Sequence, residues 1–100
     1  MPNNFDIEIV IHAPEALLSL YREAGWWDDA HDKPEHLTAI VAGSWRFVVA
    51  TERTTGHLAG MGRILSDGVS DAYIQDVMVR QAFRRRGLGR AIVQRLLDEC

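Results

Sequence analysis

Arg80, Arg84, Arg85, Arg86 and Arg90 fall within eleven residues and crowd around Gly87 and Gly89 in the string Arg84-Arg85-Arg86-Gly87-Leu88-Gly89. A β-like run, Ala72 to Val79, leads into the string, and a helix-like run, Leu88 to Cys100, leaves it. This order suits the chemistry of holding phosphate. The first turn of a helix leaves backbone N–H groups unpaired, and the helix dipole adds partial positive charge there. Glycines let the backbone approach an anion closely. Guanidinium groups supply forked donors matched to phosphate oxygens.

Charge is distributed to match. Residues 1–79 carry twelve acidic and five basic side chains, a formal −7, whereas residues 80–100 carry two and six, a formal +4. The sum is the −3 of the whole chain. A concentrated basic patch on an acidic body fits a small polyphosphate ligand better than nucleic acid. Few aromatic residues are interleaved with Arg80 to Arg95 for stacking on bases, so nucleic acid is not expected as a partner.

The elements that must position this loop can be read from periodicity. Phe5 to Ile11 alternates apolar and acidic residues as a half-buried strand does. Pro14 introduces a helix with Leu17, Leu18, Tyr21 and Ala24 on one stripe, and Gly25 ends it. Asp32 is expected to cap a second helix whose Leu37, Ile40 and Val41 face the core. Strands follow over 45–51, 57–65 and 72–79, punctuated by Thr54-Thr55-Gly56 and Ser66-Asp67-Gly68. The last helix turns Leu88, Ala91, Ile92 and Leu96 inward. The order is βααβββα, an α+β arrangement in a single domain over residues 1–100.

Composition narrows the class. With 47% hydrophobic and 25% charged residues the chain is ordinary globular protein. A single cysteine, Cys100, excludes an internal disulfide framework and a cysteine-rich zinc site. His12, His31, His36 and His57 lack the paired spacing of a zinc motif and read as surface or capping residues, so no metal is expected. Met1 to Asp6 lacks the basic start and apolar core of a signal peptide, and no apolar run approaches the roughly 20 residues that span a bilayer. A cytoplasmic protein with no membrane partner is expected.

Tyr73-Ile74-Gln75-Asp76-Val77-Met78-Val79, followed by Phe83-Arg84-Arg85-Arg86-Gly87-Leu88-Gly89, resembles the signature of GNAT-type N-acetyltransferases. The family motif (Gln/Arg)-x-x-Gly-x-(Gly/Ala) is matched by Arg84, Gly87 and Gly89. The resemblance implies an acyl-CoA N-acyltransferase fold, a mostly antiparallel mixed sheet flanked by helices. It implies acetyl-CoA as co-substrate, held by the loop Arg84, Arg85, Arg86, Gly87, Leu88, Gly89 and Arg90. The pantetheine arm would lie beside Val77, Met78 and Val79. The acceptor would be a primary amine of a small molecule or peptide.

Departures from the family pattern carry their own expectations. Gln81 stands where a proline is common. Arg85 stands where glycine is frequent, an exchange compatible with negative φ at that residue. The family fold continues past the last helix, so a truncated domain is expected, covered by further chain or by a second subunit as in a homodimer. Val77, Val79, Ile92 and Leu96 would otherwise be partly uncovered.

The implied reaction needs a base for the ammonium group, a polarised thioester carbonyl and a proton for the leaving thiolate. Backbone N–H groups near Val77 to Val79 could polarise the carbonyl. Asp76 is the candidate catalytic base, and pairing with a nearby arginine or capping a turn is its structural alternative. Period-2 alternation sets Asp76 and Met78 on one face, with Val77 and Val79 on the other. Trp26 and Trp27 sit where the family builds its acceptor wall, and two adjacent residues cannot both face one core. Gly60 and Gly62 leave one face of their strand bare for a ligand, a helix or a bulge. Asp28, Asp29, Asp32 and Glu35 suit a cationic acceptor or a solvated acidic loop equally. A non-catalytic coenzyme A-binding module is the alternative function.

Overall fold

A computed structural model describes residues 4–100; Met1, Pro2 and Asn3, and with them part of the reading of the N-terminus, lie outside it. Seven principal elements follow the expected order. They are β1 (Phe5–Ile9), α1 (Leu17–Glu23), α2 (Pro34–Gly43), β2 (Arg46–Glu52), β3 (Leu58–Ser66), β4 (Ala72–Val79) and α3 (Leu88–Asp98), with a 3-10 turn at Gln81–Phe83 before α3. The strands form one antiparallel sheet in the order β1-β2-β3-β4. Among the described residues, no strand pairs with the outer side of β4.

Helices cover the two faces of this sheet and make two cores. Leu17, Leu20 and Tyr21 of α1 join Leu37 and Val41 of α2 over Phe47, Val49, Met61 and Met78. On the opposite face Leu88, Ile92 and Leu96 of α3 pack with Phe5, Val48, Ala50 and Ile64. Burying each such large side chain contributes roughly 1.5–3 kcal/mol.

The α3 face is closed by the bare strand anticipated at Gly60 and Gly62, and the visitor is a helix. A Cβ on Gly60 would stand 2.9 Å from Ile92 Cδ1 and 2.9 Å from the Met78 carbonyl oxygen. One on Gly62 would stand 2.9 Å from both Ile92 Cγ2 and Leu96 Cδ1. Glycine therefore sets the depth at which α3 docks. For this reason Ile92 and Leu96 are fully buried within the chain itself, contrary to the expectation that they would be partly uncovered. Val77 and Val79 are half-buried, as expected for residues near the open edge of β4.

Local chemistry corrects several boundaries. β1 stops at Ile9 instead of Ile11, because only Val10 N–H finds a further partner, Phe47 O, and Ile11 is left exposed. Pro14 lies ahead of α1, with its carbonyl accepting the Leu17 N–H. Lys33, not Asp32, is the N-cap of α2, in extended conformation before Pro34. His36 Nδ1 accepts the Lys33 N–H at 3.2 Å, and Asp32 instead accepts the N–H of Asp28.

Candidate active site

The sheet register shifts twice, between Ala50 and Thr51 of β2 and again where β3 meets β4. Met61 faces Met78 and Arg63 faces Gln75, so three steps of β4 oppose two of β3. The extra residue is a bulge, and Asp76 within it has φ +56°, the left-handed region that aspartate tolerates better than most residues. Parity changes across it. Ile74 and Val77 both pack on the α3 side, although three residues separate them. Beyond the bulge Met78 enters the α1–α2 core, and Val79 faces α3. The expected pairing of Asp76 with Met78, and of Val77 with Val79, holds for this stretch only.

Asp76 is gripped. Tyr21 of α1 donates its hydroxyl to Asp76 Oδ2 at 2.9 Å, and Arg63 Nε of β3 donates to the same oxygen at 2.8 Å. Burial, then the hydrogen bond to Asp76, holds the Tyr21 phenol well above the usual tyrosine range. Trp26 packs edge-on against the Tyr21 ring, with centroids 6.1 Å apart, and is about half exposed (48%). Trp27 turns inward against the α1–α2 core and donates its indole N–H to Asp29 at 3.1 Å. The two tryptophans divide as adjacent residues must.

Past the end of β4 the strand edge meets the arginine loop. Arg80 N–H donates to Ala59 O at 2.8 Å. By the two-residue alternation of an extended strand, the N–H and C=O of Val79 then point away from β3. Val79 O accordingly accepts Arg84 Nε at 2.9 Å, which folds the loop back along the edge. A cleft of about 330 Å³ opens here, between Val77, Val79 and Phe83 on one side and Arg84, Arg85, Gly87 and Gly89 on the other.

The loop conformation is special at two residues. Gly87, the N-cap of α3, has φ +77° and supplies no side-chain cap, so the first N–H groups of α3 keep their donor capacity. Arg85 has φ +66°, against the expectation of negative φ. The turn into α3 demands the left-handed conformation there, which is why glycine suits the position and why arginine bears some strain.

The loop arginines differ in their commitments. Arg80 is a structural strap, donating to Leu58 O at 2.6 Å and to Glu23 and Ser19. Arg86 lies over the Phe83 ring at 5.7 Å. Arg85, Arg86 and Arg90 are exposed around the start of α3, and Arg86 and Arg90 border a second, larger groove along its flank. Leu88 is buried, and the side chain of Met78 points to the other core, so each can meet a ligand at the loop only through its backbone.

The structure brings Asp76, Trp26 and the start of the arginine loop to one end of the sheet. It also adds residues that sequence reasoning missed. Tyr21 was hidden among the apolar residues of its stripe, and Glu23 among ordinary surface acids. Arg63 had a visible signal, a lone charge inside the apolar run Leu58 to Leu65. The acidic residues after α1 are mostly spent internally: Asp28 pairs with His31, Asp29 with Arg22, and Asp32 with His36. Among the described residues no group of His, Cys, Asp or Glu is arranged to hold a metal ion, and no helix is long and apolar enough to cross a membrane.

Comparison with known proteins agrees with this architecture. Residues 12–100 match the model of the acetyltransferase (GNAT) family. Among curated proteins there is no significant match to the sequence. A GNAT family acetyltransferase from Streptococcus pneumoniae superposes with a TM-score of 0.77 at 24% identity, over 94% of this chain and 66% of its own. A probable acetyltransferase of meticillin-resistant Staphylococcus aureus gives 0.78 at 20% identity, over 95% and 68%. N-acetylglutamate synthase from Neisseria gonorrhoeae, complexed with coenzyme A and N-acetyl-glutamate, gives 0.67 at 14% identity, over 94% and 22%. The chain thus spans about two thirds of the length of the two bacterial acetyltransferases. With its family model matched over most of its length and its fold shared with these structures, this chain belongs to the GNAT acetyltransferase family.

Proposed function

We propose that the chain is the acetyl-CoA-binding part of an N-acetyltransferase that acts on a primary amine of a small molecule or peptide. The observation that carries this reading is the junction of β4 with the loop before α3. There an open strand edge runs into a glycine-capped helix start ringed by arginines. The N–H groups at the start of α3 would receive the pyrophosphate, with Gly87 and Gly89 presenting no Cβ to it. Arg85, Arg86 and Arg90 would add charge around the phosphates. The pantetheine arm would run along the edge of β4, past Val79 and Val77, where outward N–H groups can bond its amides and polarise the thioester carbonyl.

The acceptor would enter from the α1 side, between Trp26 and Asp76. Its neutral nitrogen attacks the acetyl carbonyl, the C–N bond forms, and the C–S bond breaks to release the coenzyme A thiolate. Asp76 removes the ammonium proton directly or through a water molecule. Both protein donors to Asp76 converge on Oδ2, so Oδ1 is the oxygen presented to the amine. The attacking nitrogen loses a further proton to solvent as the amide forms, and the thiolate takes one up from solvent.

Titration calorimetry with acetyl-CoA, together with thiol release in the presence of a panel of primary amines, tests the proposal. Asp76→Asn should lower kcat about 100- to 10,000-fold and leave coenzyme affinity nearly intact. Wild-type turnover across the pH range would return Asp76 to a purely structural role. Tight binding of acetyl-CoA without transfer to any amine would favour the alternative, a coenzyme A-binding module.

A further inference from the structure

Asp76 sits where the backbone gives it the least support. It is the extra residue of a bulge and has positive φ, and on its outer side no described strand holds β4. A lone aspartate in such a place would sample several side-chain rotamers. Instead Oδ2 is held by two donors from two different elements, Tyr21 on α1 and Arg63 on β3. Neither donor is free to wander. Tyr21 is 4% exposed, and its ring lies in the α1–α2 core with Leu17 and Met61. The Arg63–Asp76 pair is mostly shielded, with side chains 17% and 22% exposed. Trp26 also packs against the Tyr21 ring, edge-on.

We propose that Tyr21 is a positioning residue, which reaches across from α1 to fix the Asp76 carboxylate so that Oδ1 alone faces the acceptor amine. The inference rests on the acetyltransferase reading above and extends it to a residue that touches neither substrate. Arg63 supplies charge, but a single donor lets a carboxylate pivot about the one bond. A second donor on the same oxygen, arriving from a rigid ring, removes that freedom. Near-attack geometry is sensitive to displacements of this size. The α1 helix thereby couples the shape of the acceptor side to the aim of the base.

The test is a double-mutant cycle on the full chain, with kcat, KM for the amine and acetyl-CoA affinity measured for each protein. Tyr21→Phe keeps the ring in the core and removes only the hydroxyl. It is expected to lower kcat about tenfold, with acetyl-CoA affinity unchanged. In an Asp76→Asn background the same substitution should have little further effect, because its partner is already lost. An equal fall in turnover in both backgrounds would show a general structural role and overturn the proposal. Unchanged kcat for Tyr21→Phe, with Asp76→Asn inactive, would also overturn it while leaving the acetyltransferase reading intact. Failure to bind acetyl-CoA would instead sink that reading, and with it this one.

Discussion

Glu23 and Gln81 lie 58 residues apart, yet the Glu23 carboxylate accepts the backbone N–H of Gln81 at 2.8 Å. Its other oxygen accepts Arg80 Nη1 at 3.3 Å. The last turn of α1 thus holds the entrance of the arginine loop, while Tyr21, two residues earlier, holds Asp76. One short helix braces both halves of the candidate site. Both contacts are partly exposed, so Glu23→Ala should lower stability by only about 1–2 kcal/mol. Glu23→Gln, which retains an acceptor for Gln81, should recover part of the loss. Urea titration of the two variants reads the difference, and stability equal to wild type in both would show that the brace is idle.

The two glycines of the loop should separate folding from binding. Gly87 has φ +77° but open space around it, so Gly87→Ala should cost about 1–2 kcal/mol through backbone strain alone. Gly89 has no such conformation, and an added Cβ would meet only Val79 Cγ2 at an ordinary 3.7 Å. Gly89→Ala should leave stability unchanged or raise it by up to about 1 kcal/mol. Acetyl-CoA affinity should nevertheless fall in Gly89→Ala, because the methyl group obstructs backbone approach. Calorimetry showing unaltered affinity for that variant would remove the phosphate-loop assignment.

Arg85 is held at φ +66°, where glycine carries no Cβ penalty. Arg85→Gly should therefore stabilise the protein by about 0.5–1 kcal/mol, after allowing for the greater freedom of glycine in the unfolded chain. Chemical denaturation decides the sign. A loss of stability would mean that the Arg85 side chain makes contacts worth more than the strain.

Gly60→Ala should do the opposite. Its Cβ would meet the Met78 carbonyl oxygen at 2.9 Å, and a backbone atom cannot swing aside as a side-chain end can. The strand pair or α3 must shift, at a cost of about 1–3 kcal/mol. Thermal unfolding measures it, and an unchanged midpoint would show that α3 docks less tightly than described.

Alkaline pH should weaken the fold through Tyr21. Its phenol stays protonated in the folded state, above the ordinary tyrosine pKa of about 10, because burial and the Asp76 carboxylate disfavour tyrosinate. The unfolded chain loses this proton first, so the contribution is complete below pH 10 and declines as the pH rises beyond it. Tyr21→Phe should flatten the decline. Urea titrations at pH 8 and pH 11, for both proteins, supply the comparison.

The order of elements and the arginine loop were legible in the sequence because each depends on local rules. Alternation in β1, the apolar stripes of α1 and α3, and glycine at the start of α3 all act within a few residues. The bare face at Gly60 and Gly62 was visible too, although only the packed chain showed that Ile92 and Leu96 fill it. Other features had no local signature. The bulge at Asp76 arises from strand registration against β3, which period-2 counting along β4 cannot detect. The left-handed backbone at Arg85 is imposed by the turn between β4 and α3, against the residue's own preference. The Tyr21–Asp76–Arg63 contact joins three separate elements, and only tertiary packing brings such distant residues within hydrogen-bonding reach. Local chemistry thus wrote the glycine- and arginine-rich loop before α3, and the meeting of α1, β3 and β4 decided how the Asp76 carboxylate is held.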